Sequence, residues 1–195
     1  MTDIYLVGVG GQGIITASKV IGEAAILAGQ HVLLSETHGM AQRGGSVVCT
    51  ARIGDVSSPL IPDGKADFIL SLELLETLRA LPKTSPSTVV LASKERMVPL
   101  SVSTQKLRYP TEAEVRSRFE GVSKRFLAVD ARRIAEEAGV AMSSNIVMVG
   151  ALAGCGVTGV SRQHFEKAIE TSISRRTKEN LVAFAKGFEA GVAIV

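Results

Sequence analysis

Cysteine is nearly absent: Cys49 and Cys155 are the two in 195 residues. Their number and spacing fall short of the several thiolates that a zinc site or an iron–sulfur cluster takes. No metal is therefore expected on this chain. Both stand among apolar or small residues and read as core thiols, in keeping with a reducing compartment. Tryptophan is missing and aromatic residues make up 4%, so the core is expected to be aliphatic. No run of about 18 apolar residues occurs, which argues against a membrane span. The opening MTDIYLVGVG lacks the basic stretch of a signal peptide. A soluble, cytoplasmic protein is expected.

The imbalance between the two signs of charge is small as well. Twenty-two Lys and Arg against 19 Asp and Glu leave a net +3, too mild to argue for nucleic acid or membrane binding. The densest basic group, Arg116, Arg118, Lys124 and Arg125, is mixed with Glu112, Glu114 and Glu120 and reads as a solvated helix face. Three histidines, His31, His38 and His164, show no metal-ligand spacing and no nucleophile–base arrangement. No catalytic residue is assigned.

What is present is an alternation of strands and helices. Apolar runs at 4–7, 31–35, 46–53, 67–70, 88–91 and 126–130 predict strands. Helices are expected over 12–27, 72–81, 111–119, 131–138, 144–152, 163–172 and 178–188, with Thr111 and Glu114 in a capping-box spacing and Asp130 as a cap. Residues 94–110, with Pro99 and Pro110, predict an irregular crossing with a short strand or two. The small-residue run Gly150, Ala151, Ala153, Gly154 and Gly156 suits a helix that another backbone approaches closely. The pattern predicts one domain over 1–195: a three-layer α/β/α sandwich, its sheet mostly parallel and Rossmann-like, with a helical C-terminal third.

Two segments stand out. Gly8-Val9-Gly10-Gly11-Gln12-Gly13 lies between the first strand and first helix and satisfies G-x-G-x-x-G. Glycines let the chain turn tightly, and N–H groups at a helix start favour an anion. Glu36, ending the second strand, is placed about where a ribose-binding acid belongs. A dinucleotide, another anion, a protein interface and a plain tight turn all fit. The second segment, Ser35 to Gly45 (SETHGMAQRGG), is longer than the usual 2–6 residue connection and is expected near the glycine loop. Arg43, flanked by Gly44 and Gly45, would clamp a phosphate or carboxylate, or tie down its own loop. His38 would serve as an acid, a base or a hydrogen-bond donor beside a cofactor, or as a structural hydrogen-bonder. Asn145 would present its amide into the same cleft or cap its helix.

Taken together, GVGGQG, ETHGMAQRGGSVV, Asn145 with MVGALAG, and the closing helices with Asn180-Leu181 and Phe184-Ala185-Lys186-Gly187 strongly resemble the gamma-type subunits of 2-oxoacid:ferredoxin oxidoreductases over nearly the whole chain. THGMAQRGG leans toward the indolepyruvate (arylpyruvate) type. The resemblance implies an accessory subunit with thiamine diphosphate, Mg2+ and iron–sulfur clusters on a larger partner, coenzyme A as co-substrate and ferredoxin as acceptor. This chain would help form the active-site cleft and the coenzyme A entrance for oxidative decarboxylation to an acyl-CoA, and alone would be inactive. It implies binding roles for Gly10, Gly11, Gln12, Gly13, His38, Arg43, Gly44, Gly45 and Asn145. A stand-alone NAD- or flavin-binding oxidoreductase is the alternative. Isolated, the chain is expected to pair as a homodimer through a surface meant for its partner.

Overall fold

The computed structural model describes residues 1–36, 44–97 and 108–193. Six strands build one sheet: β1 (Thr2–Val9), β2 (Val32–Glu36), β3 (Ser46–Ile53), β4 (Phe68–Ser71), β5 (Val89–Ser93) and β6 (Arg125–Val129). Their order across the sheet is β2-β3-β1-β4-β5-β6. β1, β4, β5 and β6 are parallel neighbours. β3 is the exception, antiparallel to both β1 and β2. β2 therefore points the same way as β1 but stands one strand further out. The sheet is mostly parallel, as expected, yet the Rossmann-like adjacency of the first two strands is interrupted.

The helices are α1 (Ile14–Leu27), α2 (Leu74–Arg79), α3 (Glu112–Phe119), α4 (Ala131–Glu137), α5 (Ser144–Gly154), α6 (Arg162–Ser172) and α7 (Thr177–Val192). Strand alternation divides the core between two faces. Leu6, Leu70 and Leu91 face one side with residues of α1, α5, α6 and α7. Their sequence neighbours Val7, Ile69 and Val90 face the other, under Leu74, Val115 and Phe119. This is the three-layer sandwich, thicker on the first side, with its C-terminal third helical. Among the described residues no helix is long and apolar enough to cross a membrane.

Local signals set the helix ends. Thr111 and Glu114 form the expected capping box, and Asp130 accepts a hydrogen bond from the Arg133 amide. α1 begins at Ile14 rather than at residue 12, because Gly13 is left-handed (φ 78°) and starts the helix after itself. Residues 94–97 and 108–110 have no regular structure, and the rest of the expected crossing lies outside the described residues. Cys49 is buried; Cys155, at the end of α5, is half-buried. α5 and α7 pack backbone to backbone. A Cβ on Gly150 would lie 2.2 Å from the Phe184 carbonyl oxygen, and one on Gly187 only 2.0 Å from that of Val147. The small-residue run thus serves the close approach it predicted.

Candidate functional site

The carboxyl ends of β1, β2 and β4 meet at one edge. β1 ends at Val9, opposite Ser46, the first residue of β3. Beyond this pair the two glycine segments are joined directly, for the Gly10 amide donates to the Gly45 carbonyl at 2.8 Å. The segment that includes Gly44 and Gly45 thus returns beside the glycine loop. His38 and Arg43 fall among the residues that are not described.

Gln12 folds back into the loop. Its Oε1 accepts the Val9 amide and its Nε2 donates to the Leu72 carbonyl, both at 2.8 Å. This buried side chain pins the ends of β1 and β4. Gly11 and Gly13 take φ of 106° and 78°, which turns the backbone sharply into α1. The first N–H groups of a helix have no partner within it and carry its positive end. Asn145 lies in the first turn of α5 and is buried; its Nδ2 donates to the Gly13 carbonyl at 3.1 Å. It does not act as a cap. It locks α5 to the glycine loop, and a Cβ on Gly13 would come within 2.5 Å of that amide nitrogen.

A cleft of about 1270 Å³ opens beside this junction. Gly11, Gly13, Thr16, Asn145, Arg175 and Arg176 are among the residues that line it. Gly10 instead borders a small apolar pocket with Ile14 and Val47. So the structure brings Gly11, Gln12, Gly13 and Asn145 together on the cleft, with Gly45 bonded behind them. Sequence reasoning missed Arg175 and Arg176. Two adjacent arginines before a helix carry no motif, although a glycine is the usual residue at such a junction.

Also missed was a buried acidic pair at the end of β4. Glu73 caps α2, accepting the Leu75 and Glu76 amides at 2.7 and 3.0 Å, and accepts the Tyr109 hydroxyl. Glu76 accepts the Ser46 hydroxyl at 2.5 Å and pairs with Arg79 at 2.6 Å. Burial pushes both carboxyls up from the ordinary glutamate range, only partly opposed by these bonds. Burial and the Glu73 carboxylate likewise raise Tyr109, which keeps its proton. An acid directly after a strand and before a helix is a cap signal that the sequence did offer.

The ribose-acid reading of Glu36 is corrected by the sheet. Because β3 stands between β2 and β1, Glu36 is displaced from β1 by two strand spacings, about 10 Å. A dinucleotide fold places that acid on the adjacent strand.

Comparison with known proteins gives the family and agrees with the fold. The pyruvate ferredoxin/flavodoxin oxidoreductase family matches residues 3–190. The chain is 41% identical over 192 residues to the indolepyruvate oxidoreductase subunit IorB of Archaeoglobus fulgidus, covering 98% of this chain and 96% of that one. It is also 41% identical over 189 residues to the subunit of the same name from Methanothermobacter thermautotrophicus, covering 96% of each. Its fold is similar to that of a keto/oxoacid ferredoxin oxidoreductase gamma subunit from Geobacter sulfurreducens, with a TM-score of 0.72 over 99% of both chains at 24% identity.

Proposed function

The chain belongs to the pyruvate ferredoxin/flavodoxin oxidoreductase family, and from that premise we propose that it is the small subunit of an indolepyruvate-type enzyme and walls the cleft through which coenzyme A enters. It is a subunit of a 2-oxoacid:ferredoxin oxidoreductase. The stand-alone dehydrogenase gives way to this, since the relatives are subunits and Glu36 is out of place for a ribose.

The observation that carries the proposal is the Gly10–Gly45 bond, next in sequence to Gly11, Gln12 and Gly13, which line the open cleft. It holds two glycine-rich segments at one sheet edge, with the N-terminus of α1 on the cleft. Backbone N–H groups there suit the diphosphate of a coenzyme A. Gln12 and Asn145 act as braces that keep this edge in register. Arg43 and His38 are proposed to complete the anion and carboxylate contacts from the second segment.

The bond-making chemistry is assigned to a larger partner. Thiamine diphosphate with its Mg2+ would supply the carbanion-stabilising chemistry there, and iron–sulfur clusters would carry electrons singly to ferredoxin. The two cysteines here, one buried in β3 and one at the end of α5, fall short of the four thiolates of a cluster. The whole chain is proposed to act as one domain in the cytoplasm, inactive alone, with a homodimer as its state when the partner is missing.

The test is a substrate screen of the assembled enzyme. Indolepyruvate and other arylpyruvates are expected to support coenzyme A-dependent ferredoxin reduction at higher kcat/KM than pyruvate or 2-oxoglutarate. Preference for either of the latter would overturn the indolepyruvate assignment.

A further inference from the structure

The sheet has two outer strands, β2 and β6, and their edges are built differently. An open edge offers unpaired amides and carbonyls to any other strand, and charged side chains commonly guard it. β6 is guarded. Arg116 Nη1 donates to the Phe126 carbonyl at 3.2 Å, its guanidinium carbon lies 4.9 Å from the centre of the Phe126 ring, and the exposed Arg125 begins the strand. β2, with the sequence Val-Leu-Leu-Ser-Glu, contains no Lys, Arg or Pro.

The ladder shows which backbone groups of β2 are spare. The Gly54 amide donates to the His31 carbonyl at 2.8 Å. Bonded pairs alternate along an antiparallel ladder, so Leu33–Arg52 and Ser35–Thr50 are the next bonded pairs. The amides and carbonyls of Val32 and Leu34 therefore point away from β3 and out of the sheet, and none of the described residues pairs with them.

The side chains at this edge are apolar. Leu34 lies on the α1 side of the sheet, for a Cβ on Gly22 would meet its Cδ1 at 2.7 Å. It is nevertheless 36% exposed. Ile26, one turn beyond Gly22 on the same helix face, is 59% exposed, and Leu27 beside it 40%.

We infer that β2 is the surface through which two copies of this chain pair, antiparallel about a two-fold axis at Leu34, so that two six-stranded sheets become one. A two-fold axis normal to a sheet sets one residue opposite its own copy, and that residue bonds only if its backbone groups point outward. Leu34 meets this condition at the middle of the strand. Its amide and carbonyl exchange two bonds with those of the second Leu34, and Val32 falls opposite Glu36 of the second copy. Paired residues share a face of the sheet, so Leu34 meets Leu34, with Ile26 and Leu27 of both copies at its sides. No like charges are set opposite one another. Register, apolar side chains and charge all match themselves, which selects a second copy over an unrelated strand. Ile26, Leu27, Val32 and Leu34 are absent from the lining of the cleft, so each copy keeps its cleft open. The inference rests on the homodimer proposed for the isolated chain and says where it forms.

The experiment uses the isolated full chain. Sedimentation equilibrium is expected to give twice the chain mass of 20.5 kDa. Leu34→Lys puts two like charges on the axis and is expected to halve the measured mass while keeping the wild-type circular dichroism. Leu34→Cys is expected to form a disulfide between copies on air oxidation, because a bonded antiparallel pair holds its Cα atoms about 5.5 Å apart, within disulfide reach. Val122→Cys, exposed just before β6, is expected to form none. A dimer that survives Leu34→Lys and gives no Leu34→Cys cross-link would overturn this edge and leave the homodimer standing. A monomeric wild-type chain would overturn both. A monomeric wild-type chain whose joining to the larger subunit is lost in Leu34→Lys would assign the edge to that subunit and likewise overturn the inference. Should Leu34→Lys fail to fold, the cross-link and slow hydrogen exchange at the Val32 and Leu34 amides decide, and absence of both would overturn it.

Discussion

The amide of Gly10 donates to the carbonyl of Gly45 at 2.8 Å and so ties together two segments 35 positions apart. The bond continues the β1–β3 ladder one step beyond Val9 and Ser46. Ser46 is in turn fixed by Glu76, and Glu76 lies one helical turn from the Glu73 cap. A buried acidic pair thereby braces the point where the second glycine segment enters β3.

Replacing Gly13 by alanine is expected to destabilise the chain by about 1–2 kcal/mol for its left-handed backbone alone, and by more for the collision with Asn145. Urea unfolding checks this. An unchanged midpoint would mean that the turn into α1 is not built as described.

Gly187→Ala puts a methyl group into the Val147 carbonyl across the α5–α7 contact. Overpacking of this kind costs about 1–3 kcal/mol. The expected signature is a lower melting temperature with coenzyme A affinity of the surviving assembled enzyme unaltered. A neutral substitution would contradict the backbone-to-backbone packing.

Burial raises the Glu73 carboxyl, so the native chain holds its proton to higher pH than the unfolded chain does. Between the ordinary glutamate value of about 4.3 and the raised native value, the native state binds more protons. Stability attributable to Glu73 therefore falls as pH rises through that window. Glu73→Gln removes the contribution. The difference between wild-type and variant urea midpoints should grow in the variant's favour as pH rises from about 4. A difference that shrinks would reverse the sign and refute the buried-acid reading.

Arg43→Ala is expected to raise the KM for coenzyme A or the 2-oxoacid in the assembled enzyme while leaving the thermal stability of this chain unchanged. Unaltered steady-state kinetics would remove Arg43 from the site.

Much of this was written in the sequence because it is local. The strands follow from short apolar runs, and the Thr111 and Asp130 caps depend on residues three apart. The small-residue run at 150–154 named its own purpose. The antiparallel β3 was legible only indirectly: the link 37–45 is shorter than the dozen or so residues of a parallel crossover. Non-local pairings were hidden. Tyr109 meets Glu73 from 36 positions away and Asn145 meets Gly13 from 132. No periodicity announces the left-handed backbone of Arg176 or the buried Asn180 that donates to the Arg175 and Arg176 carbonyls.

This chain is proposed to work as the small subunit beside a thiamine- and iron–sulfur-bearing partner. Purification of the native complex through this chain, with identification of what accompanies it, tests that most directly. The subunit assignment predicts a larger protein carrying thiamine diphosphate and iron–sulfur clusters, and coenzyme A-dependent reduction of ferredoxin by indolepyruvate in the same fraction. Recovery of the chain alone, with nicotinamide or flavin bound at the glycine loop, would contradict it.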